Sequence, residues 1–404
     1  MQNARAYWSL AIAGAAILAV TMGIRQSLGL FVSPLNTSTG LGIVTVSFAL
    51  AVGQFVWGAA QPVFGAIADR AGPVRVMMAG GVLLALGLAV TPFTGSAFGL
   101  VFFLGVVTAA GAGAGSFSIL IGAAANRIPA EKRAFASGFI NAGGSFGQFV
   151  FAPLSQALIA AIGWVGALWT LACAALATLP MSLAFRERRG EAPHGHAAPG
   201  LTLSAQIGQA FRDPSYWCLH AGFFTCGFHI AFLVTHLPGE VDLCGLPASV
   251  SAVSLAIIGL ANIAGSLGAG WLGQAHRMKW ILFWMYGTRA LAVAAYLLLP
   301  KTAATFYAFA AVLGLTWLAT VPPTAGLVGK LFGTRFLATL FGLTLLSHQV
   351  GGFFGAWLGG LAIQHTGSYD WMWYADIVLA ALAAVVNIPI REAVPRPPPR
   401  SDNQ

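Results

Sequence analysis

The chain is predicted to be an all-α polytopic membrane protein, with twelve transmembrane helices in two pseudo-symmetric bundles of six. Three observations carry this expectation. Apolar residues fill 58% of the 404 positions and charged residues only 8%, against roughly 25% charged in a soluble domain. The apolar residues come in runs at or beyond the ~20 needed to cross a hydrocarbon core. Two glycine motifs also recur about half a chain apart.

The first six runs fall near 8–32, 41–64, 76–94, 97–124, 134–159 and 163–185. The other six fall near 216–238, 247–272, 280–299, 303–328, 336–362 and 371–390. Each is broken by Gly, Pro or charge, and within the bilayer its backbone groups must bond inside the helix. The first run is too long for a signal-peptide core and has no convincing cleavage site, so it reads as a retained span. Residues 1–185 then form one six-helix bundle and 215–391 the other. A polar cytoplasmic linker, 186–214, lies between them, and a Pro-rich tail, 392–404, is expected to be disordered.

The charges give the orientation. With the N-terminus in the cytoplasm, 17 of the 20 Lys and Arg residues fall in inside segments. Only Lys301 falls in an outside loop, while Arg25 and Arg289 sit within spans. This is a strong positive-inside bias, and it favours an even number of spans with both termini cytoplasmic. A bacterial inner membrane is the expected location. The excess of basic residues is explained by topology, and no nucleic-acid partner is expected.

The halves echo each other. Gly143-Gly144-Ser145-Phe146-Gly147 matches Gly351-Gly352-Phe353-Phe354-Gly355, 208 positions later. Gly65 and Asp69 are echoed by Gly270 and Gln274, 205 positions later. Similar offsets argue for a duplicated unit, and parallel repeats of this kind place a binding site between the halves near the midplane. Cys173, Cys218, Cys226 and Cys244 lack metal-type spacing and read as small apolar core residues. His194 and His196 read as solvated linker, since two histidines lack further ligands. No metal or cofactor site, catalytic nucleophile–base motif or ATP-binding loop is recognisable, so no enzyme is expected and the energy must come from gradients.

The stretch Gly65-Ala-Ile-Ala-Asp69-Arg70-Ala-Gly72-Pro73-Val-Arg75 resembles the signature loop of the major facilitator superfamily, with Pro73 at the first of its usual basic positions. The resemblance implies that Asp69, Arg70 and Arg75 gate the cytoplasmic end, where a carboxylate can accept from facing backbone N–H groups and Arg side chains. Within the superfamily, the chain is similar to the monocarboxylate porter family and its bacterial relatives. The likeness rests on Arg133 to Ser145, Ala152-Pro153-Leu154-Ser155-Gln156, Gly163-Trp164, Ile24 to Phe31, and Gly367-Ser368-Tyr369.

Arg25 lies about 17 residues into its span, roughly 26 Å deep. A guanidinium there is costly unless paired or hydrated, and it binds carboxylates bidentately. The resemblance makes it the substrate-carboxylate ligand; snorkelling to the outer interface or a structural tie is the alternative. His348 and His229 are candidates for substrate binding and proton coupling, or are neutral histidines bonded to neighbouring helices. Asn141, Asn262, Trp317 and Thr320 are candidate cavity residues, each also readable as helix packing. Arg289 and Asp376 read as structural. Proton-coupled family members carry an Asp and, four residues on, an Arg in the eighth span; Asn262 and Ser266 stand at those positions. Coupling to a proton, exchange against a counter-anion and facilitated diffusion therefore all stay open, as does oligomeric state, a monomer included.

The expected function is secondary transport of a small organic anion, a monocarboxylate above all. Export of drugs or of neutral or zwitterionic metabolites is the alternative, and a transporter-like membrane sensor the third reading. The topology is directly testable. Epitope tags at either end should resist protease in intact cells and be cut once the membrane is permeabilised.

Overall fold

The structure, a computed structural model, describes residues 2–186, 202–247 and 249–392. His194, His196, most of the polar linker and the Pro-rich tail after Glu392 lie outside these residues; Glu392 itself, expected in a disordered tail, is buried and accepts from Met278 N and Lys330 Nζ. Among the described residues every regular element is helical. The first part contains α1 (Gln2–Ser27), α2 (Val32–Thr39), α3 (Ile43–Ala71), α4 (Pro73–Val90), α5 (Ala97–Leu100), α6 (Thr108–Ala114), α7 (Phe117–Ala125), α8 (Ala130–Leu176) and α9 (Thr178–Ser182). The second contains α10 (Leu203–Phe211), α11 (Pro214–Leu243), α12 (Ser249–Ala275), α13 (Met278–Leu298), α14 (Ala303–Thr316), α15 (Val321–Phe332), α16 (Leu337–Thr366) and α17 (Asp370–Val386).

Ten of the described helical stretches are long and apolar enough to cross a membrane, where the sequence leads one to expect twelve. Two features account for the difference. One stretch runs for 56 residues, from Ala130 to Phe185, far beyond the ~20 of a single crossing. It breaks at Gly163, whose φ of 73° is left-handed and suits glycine. The last helix, α17, is short at 17 residues.

Three boundaries also differ. The first span does not stop near 32: a 3-10 turn, Leu28–Phe31, leads into α2 and on to Thr39. The fourth is interrupted by a π-helical stretch, Val101–Val107, and by a break after α6 at Gly115-Ser116. Part of the expected linker is the helix α10, which buries Leu203, Gln206 and Ala210. Of the cysteines, Cys226 is buried, but Cys173 is exposed and is no core residue.

The repeated glycines make the same seam twice. A Cβ on Gly147 of α8 would fall 2.0 Å from the carbonyl oxygen of Ala19 in α1, and one on Gly355 of α16 would fall 2.1 Å from that of Phe228 in α11. Gly143 and Gly351 repeat the contact one turn earlier, against Ala15 and Phe224. Between apolar helices in lipid, close backbone approach replaces the hydrophobic drive. The second repeated motif makes the two seams that join early and late helices. Gly65 of α3 packs on Ala338 of α16, and Gly270 of α12 packs on Ala134 and Gly138 of α8. Large apolar side chains such as Leu291, Leu298, Trp284 and Leu382 point outward, as lipid contact requires.

The seams predict strong size dependence. Gly147→Leu or Gly355→Leu should cost about 1–3 kcal/mol through overpacking, lowering folded yield and the melting temperature in detergent. Gly259→Ala, with nothing within 4 Å of its Cβ position, should leave both unchanged.

Candidate functional site

Arg25 occupies the last turn of α1, yet the chain stays helical to Thr39 beyond it. Its Nη1 donates to Gln54 Oε1 at 2.6 Å, and its guanidinium lies 4.1 Å from the ring centroid of Trp57. Gln54 falls near the middle of α3, so the cation is held well away from the helix end. Stacking and one neutral acceptor are its partners: among the described residues no carboxylate pairs with it, and its buried Nε has no acceptor. Arg25, Gln26, Gly29, Gln54 and Thr108 line a cavity of about 200 Å³. Such a guanidinium can still offer donors to an anion.

A second polar centre lies where the early and late helices meet. It is built around a break between α14 and α15, where Trp317 takes φ −53° and ψ −95°. Pro322 and Pro323 open α15, and Pro322 has no N–H to give the carbonyl of Leu318 four residues back. The Val321 N–H reaches that carbonyl one residue early, in a 3-10 turn, and Asn141 of α8 adds a side-chain donor, its Nδ2 lying 2.9 Å from Leu318 O and 2.7 Å from Ser266 Oγ. Asn262 of α12 accepts from Leu318 N at 2.9 Å and donates to Ser145 Oγ at 2.6 Å. Asn141, Asn262, Ser145 and Ser266 thus form a clasp of amides and hydroxyls across the α8–α12 seam.

The other candidates fall in the later helices. Trp317 is buried at the break, and Thr320 lies 3.4 Å from Cys226 Sγ. His229 is fully buried in α11, with its Nδ1 hydrogen-bonded to Asp376 Oδ2 of α17. His348 lies 5.2 Å from the Phe223 ring and faces the Cys226 thiol, with no hydrogen bond of ordinary geometry to either ring nitrogen. It does not line the Arg25 cavity, although its neighbour Gln349 packs on Gly58, one turn from Gln54. His236, also in α11, bonds the carbonyl of Ala356.

Arg289 and Asp376, which read from the sequence as separate structural residues, lie in one cluster with His229. Both side chains are fully buried. Arg289 donates its Nη2 to the carbonyls of Thr316 and Trp317, the latter at 3.0 Å. Its partner is therefore the broken backbone. The adjacent Pro322-Pro323 pair was the signal in the sequence that could have located the break.

At one end of the molecule the halves are sealed. Asp69 closes the α3–α16 seam by accepting from Thr339 N at 2.8 Å and Thr339 Oγ1 at 2.6 Å. Thr339 lies in the first turn of α16, where backbone N–H groups lack helical partners. Arg70 and Arg75 stand exposed, and among the described residues neither bonds across the seam.

Toward the other end the same faces separate. The α3 stripe at Asp69, Gly65, Pro62 and Gly58 is packed on α16, but its continuation at helical spacing reaches Phe55 and Phe48, both 60% exposed. Beyond Gln349 the α16 stripe reaches Phe353, 61% exposed. Beyond Ser145 the α8 stripe reaches Phe149, 50% exposed. The structure is closed at the Asp69 end and splayed at the opposite one.

Comparison with known proteins agrees with this architecture. The Major Facilitator Superfamily model matches residues 11–356. Monocarboxylate transporter 13 of Rattus norvegicus is 24% identical over 394 residues, 95% of this chain and 89% of the relative. The oxalate:formate antiporter of Oxalobacter formigenes is 25% identical over 390 residues, 94% and 89% of the two chains. Among solved structures, the fucose:proton symporter of E. coli superposes with a TM-score of 0.72 at 15% identity, covering 94% of this chain and 98% of that one. A proton:xylose symporter gives 0.71 at 13% identity, covering 95% of both.

The latch predicts a local effect. Asp69→Asn should weaken a charge-assisted bond of about 1.5–3 kcal/mol, raising hydrogen exchange at the Thr339 amide about tenfold by mass spectrometry. Arg70→Gln should not change it.

Proposed function

The chain belongs to the major facilitator superfamily and is a membrane transporter, and on that premise we propose that it carries a small organic anion, a monocarboxylate above all, by alternating access. One observation carries this reading: Arg25 is a cation without a carboxylate partner, held at depth against a cavity by Gln54 and Trp57. An intramembrane charge of this kind is costly unless function retains it. Arg25 is assigned to the substrate carboxylate, and the stack on Trp57 fixes its plane for two-pronged binding.

His348, buried beside Phe223 and facing the Cys226 thiol, is assigned to the later-helix side of the same path. Asn141, Asn262, Trp317 and Thr320 are assigned to its wall near the midplane, where the two asparagines also clasp the halves. Asp69 is assigned to the gate at the cytoplasmic end, with Arg70 and Arg75 beside it, in a bacterial inner membrane with both termini inside. The division into bundles 1–185 and 215–391 supplies the two bodies that rock. Closure at the Asp69 end and separation at the other suit the outward-facing member of an alternating pair. The names of the two relatives support a carboxylate cargo, since one is a monocarboxylate transporter and the other exchanges oxalate and formate.

Counterflow in proteoliposomes tests the reading, because it responds to uniport, symport and exchange alike. Of labelled formate, acetate, lactate, pyruvate and oxalate, at least one should accumulate. Arg25→Gln should abolish that accumulation with folded protein level unchanged. Arg25→Lys, which keeps charge but loses the planar fork, should retain part of it. Full transport by Arg25→Gln would remove Arg25 from the site.

A further inference from the structure

Three ionisable side chains from three helices meet in the later half of the chain: His229 of α11, Arg289 of α13 and Asp376 of α17, each 0% exposed. His229 Nδ1 is bonded to Asp376 Oδ2. Arg289 is close enough for its charge to act on His229, while its Nη2 is committed to the carbonyls of Thr316 and Trp317. Other titratable groups face the cluster: Cys226 on α11, Tyr286 on α13 and His348 on α16. The Trp317 ring lies 6.0 Å from that of His229.

The cluster is under-bonded for a purely structural tie. His229 Nε2, Asp376 Oδ1, Arg289 Nε and Arg289 Nη1 are all buried without a partner. Buried polar groups are nearly always hydrogen-bonded, and groups of exceptions ask for another cause. The cluster's charge is also poised. One guanidinium and one carboxylate cancel, so the imidazole decides whether the group is neutral or carries one positive charge.

We propose that the His229–Asp376 pair is the proton-carrying site of this transporter, and that Arg289 passes its charge state to the break at Trp317. An incoming proton bonds to the free Nε2 of His229 while Nδ1–H stays on the Asp376 carboxylate. The imidazole becomes an imidazolium, no other bond breaks, and the proton leaves from Nε2 on release. The added positive charge sets His229 against Arg289, whose other commitment is to the carbonyls of the broken helix. Leu318, the next residue, is held by Asn141 and Asn262, so the clasp between the halves lies one residue from Arg289's acceptors. The two sites bias the same element, as linkage between a proton and a cargo requires.

The inference rests on the organic-anion reading for its direction: a site that gains positive charge favours an anion entering nearby, so proton and anion move together. It also answers a gap in the sequence, since Asn262 stands where the resemblance would put a carboxylate and an amide carries no proton at neutral pH.

Two measurements on the full chain separate this proposal from the anion reading. In nanodiscs, 15N-histidine spectra give one resonance absent from His229→Gln. In the wild type it should titrate as the pH is lowered from neutral, as a histidine that takes up a proton must, and Asp376→Asn should shift its midpoint. No substrate is needed, so this result stands even if none of the five labelled acids is carried. A His229 signal without titration overturns the proposal, and the wild-type signal alone decides if Asp376→Asn fails to fold. In proteoliposomes, with whichever of those acids gives counterflow, the ratio of pH-gradient-driven uptake to counterflow should fall about tenfold or more in Asp376→Asn, within the usual range of coupling between linked sites. A wild-type ratio in a folded Asp376→Asn overturns it as well. Absence of counterflow for all five acids counts against the anion reading and leaves the titration to decide the proton site.

Discussion

The structure depends on how it satisfies one stretch of broken backbone. In hydrocarbon every peptide N–H and C=O must find a partner, and between α14 and α15 the helix provides them only in part, through short bonds such as Val321 N–H to Leu318 O. Arg289 takes the carbonyls of Thr316 and Trp317, Asn141 takes that of Leu318, and Asn262 takes the Leu318 N–H. These donors and the acceptor come from α8, α12 and α13, so the repair of one helix ties early helices to late ones. A continuous helix here would leave the two asparagines and the arginine as buried groups without employment, each at a cost of about 1–3 kcal/mol or more.

Around that centre, small residues decide geometry. Glycines let α1 meet α8 and α11 meet α16 at backbone distance, and the two remaining seams join the halves. The long seams α3–α16 and α8–α12 are packed near the Asp69 end and diverge toward Phe55, Phe353 and Phe149. Arg25 lies between these regimes, level with Gln54 and about one turn from the last close contact at Gly58. The cavity it lines is bounded by α1, α3, α6 and the π-helical stretch before α6.

Much of this was legible in the sequence. The glycine repeats pointed to equivalent seams because only glycine permits that approach, and Asp69 pointed to a helix end because a carboxylate so placed needs N–H partners. Arg25 stood out because a charge in an apolar run demands a reason. Other features were hidden. Whether Arg289 faces lipid or core is a matter of helix rotation against neighbours, which one apolar span does not encode. The bond between His229 and Asp376 joins residues 147 positions apart, and their sequence neighbourhoods share no pattern. The clasp residues were visible as polar exceptions, but their engagement with one another depends on the break, whose cause lies in Pro322 and Pro323 rather than at Trp317. The Gly163 break was visible as a span boundary, whereas the 3-10 turn after Ser27 carries neither glycine nor proline at its start.

The chemistry of the clasp bears on speed. Asn141, Ser145, Asn262 and Ser266 carry no net charge, so parting them exchanges neutral hydrogen bonds for bonds to water at about 0.5–1.5 kcal/mol apiece. Separating a buried ion pair instead would strand two charges, and losing one partner of such a pair costs about 3–5 kcal/mol. Under the proposed alternating access, amides and hydroxyls at the midline would give its opening and resealing a low, salt-insensitive barrier. Among the seam contacts described, full charge enters at Asp69, whose carboxylate meets the neutral N–H and hydroxyl of Thr339 rather than a cation.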